Sequence, residues 1–203
     1  MIHYTNMARH AGLVGILALL TNQGAVAADD NGQYGVRGAG LVNCAIYERE
    51  RQARSPIYHM IAGWMDGYIT GSNQHADDTY DVTSFESTEM LAAVVSENCK
   101  KNPDTPVFAI LRTLIEQASE ERLRTLSEKI TVTMSDRSVL LYEEVLKRVQ
   151  QRLIADGHYQ GTVNGEFDSA TREALKRFQQ SNNLKATGFP DQVTLWRLLK
   201  SDS

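Results

Sequence analysis

Near the end of the chain one pattern occurs twice: Asp168-x-x-Thr171-x-x-x-Leu175 returns as Asp191-x-x-Thr194-x-x-x-Leu198. Each copy follows a glycine-containing turn and a phenylalanine, Phe167 or Phe189. The first N–H groups of a helix have no partner within it, so an aspartate at the cap accepts from one of them. The threonine sits in the first turn and the leucine reaches the core. Two such helix starts so close together predict a compact helical module.

The segments around the repeat fit that reading. Leu141, Val145, Val149 and Leu153 recur at helical spacing, with Gly157 free to take the left-handed cap conformation, which predicts a helix over residues 140–156. A turn through His158-Tyr159, Gly161 and Asn164-Gly165 follows, rich in residues that tolerate positive φ. The second helix has Thr171, Ala174, Leu175 and Phe178 on one face and stops near Asn182-Asn183. The third begins at Pro190-Asp191 and carries Val193, Leu195, Trp196, Leu198 and Leu199.

Read in order, Leu153-x-x-x-Gly157-x-Tyr159, Val163-Asn164-Gly165-x-Phe167, Thr171-x-x-Ala174-Leu175-x-x-Phe178-Gln179 and Thr187-Gly188 resemble the three-helix peptidoglycan-binding domain appended to many bacterial cell-wall hydrolases. The resemblance covers about the last third of the chain. One departure stands out: Asp168 occupies a position where that family usually has glycine. The resemblance implies noncatalytic binding of cell-wall glycan or stem peptides by residues 139–203. Such ligands need aromatic faces and fixed polar groups, which nominates Tyr159, Asn164, Thr171, Gln179 and Trp196. The competing roles are core positions for Tyr159 and Trp196 and a helix-start role for Thr171; Leu175 and Phe178 belong to the core.

At the other end, Arg9 and His10 precede an apolar run over residues 11–20, followed by Ala25-Val26-Ala27. That is too short for a membrane span and has the form of a secretory signal peptide, residues 1–27, which places the protein in the periplasm. The 203-residue chain has 21 basic and 25 acidic residues; without Arg9 the balance is 20 − 25, or −5, and neither half has the basic face of a nucleic-acid binder. Both cysteines, Cys44 and Cys99, follow the leader. In an exported chain an even count points to a disulfide, worth about 4 kcal/mol in the chain-entropy model, with two buried thiols as the alternative.

Residues 28–40 are polar and glycine-rich, a flexible lead-in. Residues 41–118 then read as a helical bundle. A first helix over 41–54 carries Cys44, and Ser55-Pro56 breaks it. A second, over 57–72, aligns Gly63, Gly67 and Gly71 on one face, which calls for close approach of another helix to offset about 1 kcal/mol per glycine. Thr83-x-x-Glu86 has capping-box spacing ahead of a helix that ends near Cys99. A fourth starts at Pro106 with Val107, Ile110, Leu111, Leu114 and Ala118 as its buried stripe. Through its spaced cysteines, Gly67-Tyr68-Ile69-x-Gly71 and Cys99-x-x-Asn102-Pro103, this half resembles small disulfide-bonded periplasmic helical proteins. Acid-stress chaperones and immunity proteins against cell-wall amidases are among them. Residues 119–138 read as a linker: charged helix formers up to Lys129, then an alternating Ile130–Met134 that is an extended connection or an edge strand in want of a partner.

The expected architecture is therefore mainly α: a small disulfide-stapled bundle followed by a three-helix peptidoglycan-binding domain. No catalytic constellation, metal site or cofactor is read from the sequence. His59, His75 and His158 are isolated, and His75-Ala-Asp77-Asp78 reads as a solvated acidic loop. The functional expectation is a noncatalytic anchor that grips peptidoglycan and presents the bundle to an envelope protein. A cell-wall hydrolase or its regulator, and a structural part of an envelope-spanning machine, are the alternatives.

Overall fold

The computed structural model of the chain describes Asp29 and residues 33–200. The leader assigned to residues 1–27 lies outside the described residues. From Gly35 onward the chain forms one compact unit built on two hydrophobic cores. Among the described residues there are seven α-helices and one two-stranded sheet.

The first core belongs to the bundle. A 3₁₀ turn, Gly38–Leu41, leads into α1 (Cys44–Gln52), where Asn43 caps by accepting from the Ile46 N–H at 2.9 Å. α2 (Pro56–His75) starts on a Ser55 cap with proline in its first turn. α3 (Thr88–Cys99) and α4 (Val107–Ala118) complete the set. Cys44 and Cys99, 55 residues apart, form the disulfide that pins α1 to the end of α3. The Tyr47 hydroxyl repeats that link by donating to the Ala92 carbonyl at 2.7 Å. Tyr47, Tyr58, Ile61, Met65, Val95 and Leu111 are sealed in this core.

Two expectations for the bundle are corrected. The α3 cap is Ser87, whose hydroxyl accepts from the Met90 N–H, and Glu86 turns inward instead of closing a capping box with Thr83. The glycines of α2 meet no helix: nothing lies within 4 Å of where a Cβ on Gly63, Gly67 or Gly71 would sit. Their propensity cost is not offset by close packing among the described residues.

The stretch read as a linker is structured. After α4 a 3₁₀ turn, Ser119–Glu121, leads to an extended segment whose Leu123 bridges Asp81, and then to the hairpin β1 (Lys129–Met134) and β2 (Arg137–Tyr142). The strands pair antiparallel with Val132 opposite Val139, across a turn in which Ser135 takes a φ of 56°. β2 is thus the partner that the alternating run lacked on sequence grounds, and it displaces the expected helix start at residue 140 to Glu143.

α5 (Glu143–Ala155), α6 (Ser169–Ser181) and α7 (Gln192–Lys200) then enclose the second core. Val145, Leu146, Val149, Leu153, Ala174, Leu175, Leu195 and Leu198 are buried there. Val132 and Leu141 of the hairpin, Leu123, and Phe85 from the loop before α3 belong to the same cluster.

Candidate functional site

The repeat organises the C-terminal module as its sequence implies. Asp168 accepts from the Thr171 N–H at 2.7 Å and Asp191 from the Thr194 N–H at 2.9 Å. The bond from Thr171 holds the Asp168 carboxyl below the usual carboxylate range. The repeat also reaches further than these caps. Gln150 of α5 is fully buried, and its amide N–H group donates to Asn164 Oδ1, the Glu166 carbonyl and Thr171 Oγ1. Its oxygen accepts from the Asn164 and Gly165 N–H groups, each at 2.9 Å. Gln179 of α6 does the same one repeat later, donating to the Phe189 carbonyl and Thr194 Oγ1 and accepting from the Gly188 N–H at 2.7 Å.

Each glutamine thus fixes the turn that feeds the next helix, and each turn has a glycine at positive φ, Gly165 at 77° and Gly188 at 72°. A Cβ on Gly165 would sit 3.0 Å from the Glu143 carbonyl oxygen, and one on Gly188 would sit 2.8 Å from that of Arg172. Glu143 and Arg172 each lie seven residues before the glutamine of their own helix. Turn and preceding helix are therefore in backbone contact at equivalent points of both repeats.

This arrangement redistributes the five nominated binding residues. Thr171 and Gln179 are fully buried and belong to the turn locks. Tyr159 is 4% exposed and its hydroxyl donates to the Thr162 carbonyl, so it packs the first turn from inside. Asn164 is half-buried and engaged by Gln150 and by the Glu166 N–H. Trp196 is half-buried and faces the bundle, in a cleft of about 300 Å³ lined by Leu91, Val94, Leu114 and Ala118. The five do not share one surface. Tyr159, Thr171 and Gln179 hold the module together and are not presented to a ligand. Gln150 escaped the sequence reading, although a glycine three residues before each Asp cap was a readable sign that the repeat extends upstream.

The larger opening on the C-terminal module is a groove of about 1010 Å³ between residues 120–128 and α5, floored by Phe85 and Leu199. Acidic and basic side chains alternate around it. Glu128 and Glu144 stand with Arg124, Lys147 and Arg148 along its walls, and Lys147 pairs with Glu143 at 2.6 Å. Arg148 donates to the carbonyls of Glu121 and Arg122, which ties the segment to α5. Such a lining offers acceptors to sugar hydroxyls and amines and cations to carboxylates, on an apolar floor.

A polar junction joins bundle and module beside this groove. The Gln192 side chain accepts from the Ser87 N–H at 2.8 Å and donates to the Phe85 carbonyl at 2.7 Å. Lys200 lies between Glu86 at 3.6 Å and Glu121 at 3.0 Å. The Glu86 side chain is 3% exposed; burial raises its carboxyl above the usual range, against the opposing charge of Lys200. His158 Nε2 and Ser181 Oγ lie 3.2 Å apart, but the serine hydroxyl also donates to the Phe178 carbonyl at 2.9 Å. Neither residue lines the groove or the cleft.

Residues 143–198 match the family model of the peptidoglycan binding domain, a span that runs from the first residue of α5 into α7. The C-terminal module is a peptidoglycan-binding domain, and the match supports a role in binding peptidoglycan. No curated protein and no solved structure matches the chain. With the disulfide, the domain points to the cell wall or periplasm as its location. Among the described residues no helix is long and apolar enough to cross a membrane.

Proposed function

We propose that this chain is an exported, noncatalytic peptidoglycan-binding protein that holds its N-terminal bundle at the cell wall, where the bundle meets an envelope protein. The observation that carries the reading is the family match over residues 143–198, on a module whose turns are locked by Gln150 and Gln179. The groove between residues 120–128 and α5 is the proposed contact surface, because its mixed charge suits a polymer that carries hydroxyls, amines and carboxylates together. Absence of turnover is part of the proposal. The two cysteines of the sequence are bonded to each other, which leaves no thiol for cysteine-type transpeptidation.

Purified sacculi test the reading directly. The full chain is expected to co-sediment with them, and reversing charge on the groove wall with Lys147→Glu plus Arg124→Glu is expected to weaken retention about tenfold while the fold is kept. Failure of the wild-type chain to sediment across a range of salt and pH would sink the proposal. A cell-wall zymogram checks the noncatalytic part: a clearing band at the chain's mobility would make it a hydrolase.

A further inference from the structure

A two-stranded sheet has two outer edges, and among the described residues neither has a backbone partner. The Glu143 N–H donates to the Glu128 carbonyl, so residues 128 and 143 are a hydrogen-bonded pair. Antiparallel ladders alternate, which makes 130/141, 132/139 and 134/137 the bonded pairs of the hairpin; the last closes the two-residue turn as such turns require. The N–H and C=O groups of Lys129, Thr131 and Thr133 consequently point away from β2. Among the described residues no backbone group bonds to them. β2 is less free, because it runs straight into α5 and its Tyr142 is held by Asp81 at 3.1 Å.

Protected sheet edges carry proline, bulges, or charge along their length. β1 has none of these in its middle: Thr131 and Thr133 are exposed, Val132 is buried beneath them, and the lone charge, Lys129, sits at the end with its ammonium over the Tyr142 ring. We propose that β1 pairs with β1 of a second copy of this chain, antiparallel across a two-fold axis at Thr131. The register follows from which groups are free. Thr131 bonds to Thr131 of the other copy, and Lys129 to Thr133 in both directions, so every unpaired group finds its complement.

The side chains agree with that register. No like charges face each other, and threonine opposite threonine is a favourable cross-strand pair. Leu140, 55% exposed, lies opposite Thr131 in the hairpin, so the row across the joined sheet reads Leu140, Thr131, Thr131, Leu140. A six-residue edge makes a small interface, so the dimer is weak and concentration-dependent. The pairing rests on strand geometry and does not depend on wall binding. With the module on peptidoglycan, though, two linked modules would add avidity.

Sedimentation of the full chain, purified as the cell processes it, tests the proposal. The dimer fraction is expected to rise between about 10 μM and 1 mM, as interfaces below standard size allow. Thr131→Pro removes only an outward N–H, a place where an edge strand tolerates proline, and is expected to weaken the dimer about tenfold at unchanged circular dichroism and melting temperature. Thr131→Lys and Thr131→Glu are each expected to be monomeric, because like charges meet on the axis, and their equimolar mixture to recover the dimer. A wild-type chain that is monomeric throughout, a Thr131→Pro variant that dimerises like wild type, or a mixture that stays monomeric overturns it.

Discussion

A single amide side chain can do the work of a short loop-closing ladder when it is buried. Gln179 satisfies the Gly188 N–H, the Phe189 carbonyl and Thr194 at once, and all three groups lie out of water. Gln179→Leu removes their partners while conserving apolar volume, so it is expected to cost about 2–4 kcal/mol in urea unfolding, the range for stranding buried polar groups. Glu86 is the opposite case, a residue whose charge opposes folding. Its carboxyl is raised in the folded chain relative to the ordinary value of 4.5, so the folded form holds the proton more tightly. Stability attributable to this group is therefore greatest below that value and falls as pH rises from it through the raised one. Glu86→Gln is expected to flatten that decline in urea midpoints measured from acid to neutral pH. A variant with the wild-type slope would remove Glu86 as its source.

Among elements, what the sequence disclosed was what local chemistry decides. The Asp168 and Asp191 caps, the α6 stripe of Ala174, Leu175 and Phe178, and the stop near Asn182 all follow from neighbours in the chain, and the structure has them. The misreadings occurred where a distant partner decides. Glu86 has the spacing of a capping box but is drawn inward by Lys200, 114 positions later. β2 carries Leu141 at a spacing that also continues the α5 stripe, and only pairing with β1 makes it a strand. Trp196 and Tyr159 were legible as aromatic residues in the module, but that the first is half-covered and the second sealed is a tertiary property that their sequence neighbourhood does not fix. At this scale the turn glycines give the sharper test. Gly188→Ala puts a Cβ against the Arg172 carbonyl at positive φ, and is expected to destabilise by about 1–3 kcal/mol. Gly63→Ala, in open space within α2, is expected to stabilise by up to about 1 kcal/mol in the same assay.

For the molecule as a whole, the family match and the folded module have different extents. The match begins at residue 143, but the module's core includes Phe85, Leu123, Val132 and Leu141 from upstream. A fragment cut to residues 139–203 loses three of those four side chains and the β1 partner of β2. It is expected to unfold at lower urea than the C-terminal core does within the full chain, with an exposed strand that favours aggregation. Reducing the Cys44–Cys99 bond is expected to lower stability by about 4 kcal/mol, read as a shift in the unfolding of the bundle core. The Gln192 clamp on residues 85–87 has a mechanical consequence. Two short hydrogen bonds from one side-chain amide and a half-buried lysine, rather than slack polymer, join the module to the bundle, so the two turn together. On the proposed reading, cargo on the bundle would be held at a set bearing above the glycan mesh instead of swinging on a leash.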